Sequence, residues 1–90
     1  MAIIVSALWG LNNGSTGDTE TDLVITDVTA VAIKKYQGGT RTFEPNEEFW
    51  GTDPDLGKTK TLFMLWQDPP GSPLYGAAVH DGTSAVITLG

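Results

Sequence analysis

Between Asn46 and Leu62 the chain reads NEEFWGTDPDLGKTKTL, and four carboxylates and two aromatic rings fall within it. Asp53 and Asp55 stand two positions apart with Gly57 following, and oxygen donors at alternate positions are how a calcium loop opens. Together with Glu47 and Glu48 they make a candidate calcium site, although the third ligand and the bidentate glutamate of a complete loop are missing. A turn in which Asp53 accepts backbone N–H groups and Gly57 takes positive φ accounts for the same residues. Trp50 sits among Asn46, Glu47, Glu48 and Thr52, so an aromatic plate is surrounded by groups that hydrogen-bond. Sugars are held in this way, with the ring against their C–H faces and polar side chains on their hydroxyls. The same two aromatics, Phe49 and Trp50, could instead close one end of a small core.

Other chemistry is thinner. His80 is the single histidine, with Asp81 beside it and Ser84 nearby. Neighbours across a hairpin tip do not converge as a nucleophilic triad must. No nucleophile elbow, phosphate loop or zinc spacing is present, so the expectation is a protein that is not an enzyme. Asp18, Glu20 and Asp22 alternate in a loop and would share one side of an extended backbone, as a crude cation site or as solvated charge. Asn13-Gly14-Ser15 matches the glycosylation sequon, which matters only in a secreted protein.

These residues need short strands to position them. Ala2 to Trp9 is a continuous apolar run that fits a buried strand. Residues 11 to 22 form a loop around the Asn13-Gly14 turn, and Leu23 to Asp27 reads as a second strand. Ala30 to Tyr36 mixes helix and strand formers; with no start and stop signals bracketing ten residues, it reads as strand. Gly38-Gly39 then looks like a hairpin turn into a returning strand, Arg41 to Glu44, that Pro45 stops. Thr59 to Gln67 is apolar on both faces and should be a central strand. Three prolines between Asp68 and Pro73 make an emphatic turn. Leu74 to His80 and Ala85 to Leu89 complete the set as a hairpin about Asp81-Gly82. Trp9 and Trp66 lie in apolar runs and are read as packing. The fold class is all-β: a single antiparallel β-sandwich, Ig-like or jelly-roll-like, of six to eight short strands forming one domain over residues 1–90.

Composition narrows the partners. The 90 residues include no cysteine, which removes disulfides and thiolate metal sites, and 11 acidic against 5 basic residues leave a net charge of −6. Lys34, Lys35, Arg41, Lys58 and Lys60 are too scattered to attract a phosphate backbone, so nucleic acid is not an expected partner. The opening MAIIVSALWG lacks the basic leading region of a signal peptide, and this, with the absence of cysteine, favours a cytoplasmic setting. No run reaches the roughly 18 apolar residues needed to span a membrane.

The order of features resembles the C-terminal domain of the mitochondrial DnaJ-type co-chaperone of subfamily C, member 11. Leu8-Trp9-Gly10 and Asp27-Val28-Thr29 carry part of the resemblance. Asn46, Phe49, Gly51, Asp53-Pro54, Gly57 and Lys60-Thr61-Leu62 carry the most specific part, and the likeness extends from Ile3 to Leu89. It implies an accessory β-domain and no chemistry. The functional expectation is a non-catalytic binding module, lectin-like, taking a glycan through Asn46, Glu47, Glu48, Trp50 and Thr52. The alternative is a protein-interaction or self-assembly module, a homo-oligomer without a small-molecule ligand.

Overall fold

The computed structural model describes residues 1–11, 25–51 and 60–90. Its elements run β1 (Ile3–Leu11), β2 (Ile25–Asp27), α1 (Thr29–Gln37), β3 (Thr42–Phe43), α2 (Glu47–Trp50), β4 (Lys60–Gln67), β5 (Tyr75–His80) and β6 (Ile87–Thr88). Strands dominate and every pairing is antiparallel, so the all-β class read from the sequence holds. They form a four-stranded sheet in the order β2-β1-β4-β5 and a two-stranded sheet of β3 and β6. The two most apolar runs, β1 and β4, lie at the centre of the larger sheet, as their composition demands.

One irregularity shapes β1. Its register against β4 pairs Ile4 with Trp66 and Ser6 with Leu65, so Val5 is an extra residue in a β-bulge. Alternation is broken there, and Ile4 on one side of the bulge faces the core together with Ala7 and Trp9 on the other. The core gathers these residues with Leu62 and Met64 of β4, Val28, Ala32 and Tyr36 around α1, Phe43 of β3, Trp50 of α2, and Ile87 and Leu89 at β6. All of it lies on one side of the larger sheet.

Four sequence expectations are corrected. Ala30 to Tyr36 is not a strand but the body of α1. Val28, Ala32 and Tyr36 recur every fourth residue and are all buried, which is helical spacing, while the β-branched Val31 that suggested strand is exposed. The Gly38-Gly39 pair ends this helix and is not a hairpin turn. Gly39 has φ 107° and donates to the Tyr36 carbonyl at 3.0 Å, and Thr40 donates to the Lys35 carbonyl at 2.9 Å. Those two bonds are a Schellman cap, whose left-handed position glycine fills without Cβ strain.

The remaining two corrections concern pairing. Thr42 and Phe43 do not return against residues 30–36; they pair with Thr88 and Ile87. Asp81-Gly82 is a turn with Gly82 at φ 82°, but it does not join two paired strands. β5 pairs with β4, whereas β6 crosses to β3, because Ile87 and Leu89 bury themselves beside Phe43. The proline-containing turn does connect paired neighbours, β4 and β5. It is closed by Ser72, whose hydroxyl accepts the Asp68 N–H at 3.1 Å and whose carbonyl accepts the Gln67 side-chain amide at 2.9 Å.

Candidate functional site

Of the residues expected to hold a ligand, Asn46, Glu47, Glu48 and Trp50 are described; Thr52, Asp53, Asp55 and Gly57 lie outside the described residues, as do Asn13, Asp18, Glu20 and Asp22. Asn46 is an N-cap. With φ −148° and ψ 157° it sits just outside α2, and its side-chain oxygen accepts the Phe49 N–H at 2.7 Å. Gly51 ends the same turn in the left-handed region, φ 74°. Glu47 and Glu48 occupy the first turn, where the helix dipole favours negative charge.

The turn buries Trp50. Only 5% of it is exposed, and its indole N–H donates to the Glu44 carbonyl at 2.8 Å. Phe43 stacks on it at 6.1 Å between centroids, and Phe49 meets it edge-on at 4.9 Å. Lys35 Nζ in turn lies 4.4 Å from the centroid of the Phe49 ring. Of the two readings of Trp50, the packed one holds. Its ring and its polar handle are both occupied, and the pair Phe49 and Trp50 closes one end of the core. Among the described residues, no group of three or more His, Asp or Glu is placed to hold a metal ion.

His80 meets Thr61, not Ser84. Its Nδ1 lies 2.8 Å from the Thr61 hydroxyl across the β4–β5 pair. A shallow apolar cavity of about 210 Å³ opens between β1 and α1, lined by Met1, Ala2, Ile3, Ile4, Ile33, Tyr36 and Gln37. That is below the roughly 300–1,000 Å³ of common small-molecule sites.

The feature that composition disguised is the outer face of the larger sheet. The apolar residues on both faces of β1 and β4 pointed to burial on both faces, but the core covers only one. Ile3, Val5, Ile25, Phe63 and Leu65 are each between 38% and 47% exposed. Strand register sets Phe63 and Leu65 in the middle of this face: Leu8 pairs with Phe63, and Phe63 with Ala78; Ser6 pairs with Leu65, and Leu65 with Gly76; Ile3 pairs with Gln67 and Ile25 with Gly10. The charged or titratable side chains this face carries among the described residues are Asp27 on β2 and His80 on β5, at opposite margins. The sequence signal was available in β4, where large apolar residues sit at both odd and even positions. Such a pattern means either two covered faces or one covered face and one waiting for a partner.

No family model, curated protein or solved structure matches the chain, and nothing in these comparisons links it to the co-chaperone domain that its motif resembles. Among the described residues, no helix is long and apolar enough to cross a membrane.

Proposed function

We propose that this chain is a non-catalytic protein-interaction module that offers the outer face of its four-stranded sheet to an apolar surface on another protein. The observation that carries this reading is the group Ile3, Val5, Ile25, Phe63 and Leu65, large apolar side chains left in water on a face poor in charge. Contiguous apolar exposure of this kind marks interaction surfaces, because burying it releases free energy in proportion to area. The enclosed ring of Trp50 gives sugar stacking no comparable support.

The test is photocrosslinking in cells from a benzoylphenylalanine placed at Phe63 or Leu65, with the exposed Thr88 as the control position. Discrete protein adducts from Phe63 and Leu65 and none from Thr88 are expected. Adducts equally absent, or equally frequent, at all three positions would sink the reading.

A further inference from the structure

The free edge of β5 carries its own information. The Asp81 N–H donates to the Lys60 carbonyl at 2.8 Å, which fixes the phase of the β4–β5 ladder. Hydrogen-bonded pairs alternate in an antiparallel ladder, so Leu62–Val79, Met64–Ala77 and Trp66–Tyr75 exchange backbone bonds. The backbone groups of Gly76, Ala78 and His80 therefore point away from β4. The His80 carbonyl is taken by the Thr83 hydroxyl at 2.8 Å, in agreement with that phase. Gly76 and Ala78 are left presenting N–H and C=O along an edge that no strand covers among the described residues.

Natural edges are usually guarded by lysine, proline, a bulge or an inward charge. Tyr75–His80, YGAAVH, has no lysine, proline or carboxylate, and its register against β4 is unbroken.

We propose that a second copy of the chain adds to this edge, antiparallel, about a twofold axis passing beside Ala77. In that register Gly76 faces Ala78 of the partner subunit, and Ala78 faces Gly76 of the partner subunit. Two hydrogen-bonded pairs of two bonds each give four backbone bonds, and these consume the edge groups of both residues. The strand is self-complementary about Ala77, which is what an isologous contact requires and what an arbitrary peptide would not need. Gly76, Ala77 and Ala78 put no bulk at the seam. Chains of net charge −6 meet there without opposing carboxylates. Leu65 leans over Gly76, where an added Cβ would stand 2.9 Å from its Cδ2, so an apolar atom already reaches toward the partner's Ala78. Two four-stranded sheets become one of eight strands, with both apolar outer faces on the same side. The inference rests on the edge and not on that face, so either can fail alone.

The chain has no native cysteine, which makes crosslinking clean. A77C places a thiol opposite its own copy in a non-hydrogen-bonded pair, within disulfide reach. V79C faces Tyr75 of the partner subunit and has no thiol opposite. Under mild oxidation A77C is expected to form a covalent dimer and V79C to form no crosslink, while the unsubstituted chain sediments at about twice 9.6 kDa. A78P removes an edge-facing N–H that the monomer does not use, a position an edge strand tolerates. It is expected to sediment as a monomer with an unchanged circular dichroism spectrum. The proposal is overturned if the unsubstituted chain is monomeric up to millimolar concentration, or if A77C and V79C crosslink alike. It is also overturned if A78P still dimerises while F63K/L65K does not, which would move the contact to the apolar face.

Discussion

The hydroxyl of Tyr36 accepts the backbone N–H of Ala2 at 2.7 Å, across 34 positions of sequence, and donates its own proton to the Gly90 carbonyl at 2.8 Å. One buried phenol thus joins α1 to the start of β1 and to the residues after β6. The guanidinium of Arg41 lies 3.9 Å from the centroid of the same ring and donates to the Tyr36 carbonyl at 2.8 Å.

Replacing Tyr36 by Phe keeps the ring and deletes both bonds. The Ala2 N–H then has no acceptor in a buried setting, which costs about 1–3 kcal/mol. For a domain of this size, Y36F should melt roughly 4–8 °C lower per kcal/mol lost. A melting temperature equal to that of the unsubstituted chain would refute the clamp.

Asp27 links stability to pH. Its carboxylate accepts the Thr29 hydroxyl at 2.6 Å and the Thr29 N–H at 2.9 Å, and these bonds hold its pKa below the ordinary 3.8, the hydroxyl contributing most. A carboxyl with a depressed folded pKa contributes stability that is present above its unfolded pKa and lost as pH falls through the folded one. Urea midpoints of the unsubstituted chain and D27N should therefore differ near neutrality and converge on acidification below about pH 4. Parallel curves would rule this out.

The same threonine serves β1, since its Oγ1 accepts the Ala7 N–H at 2.9 Å where β2 has ended. T29A strands that part-buried donor, and a loss of about 1–3 kcal/mol is expected by chemical denaturation. T29S keeps the hydroxyl and should recover most of it.

At α2, N46A removes the cap on a single helical turn and should cost about 0.5–2 kcal/mol. Because that turn seats Trp50, the loss should coincide with greater quenching of tryptophan emission by acrylamide. Simple sugars are expected to leave the emission of the unsubstituted chain unchanged. A saturable shift that disappears in W50F would restore the sugar-stacking site.

Sequence carried the sheet well and its partners poorly. The runs around Trp9 and Met64 announced β1 and β4 because apolar content alone places a strand at the centre. Helix α1 was hidden by Val31 and Ile33, whose strand preference outweighed the fourfold spacing of Val28, Ala32 and Tyr36. Its nine residues also fall below the length at which helical periodicity declares itself. The turn at Asp81-Gly82 was recognisable, but a turn does not say which strand comes next, and Phe43 settled that from across the core. Trp50 could be read either way for a local reason. Glu47 and Glu48 lie two and three residues before it in sequence, yet one turn of helix sends them to water and the indole inward. Linear proximity carried no information about facing.

Val5 adds a last consequence. The ladder between β1 and β4 skips it, and without it Ile3, Ile4, Ser6, Ala7, Leu8 and Trp9 would alternate outward and inward in perfect step with the same partners on β4. Val5 is a syncopated beat in an otherwise regular measure. Excising it should leave every neighbouring side chain on its present face, so the chain would keep its core and surrender the local twist that a bulge imparts together with one apolar side chain in water.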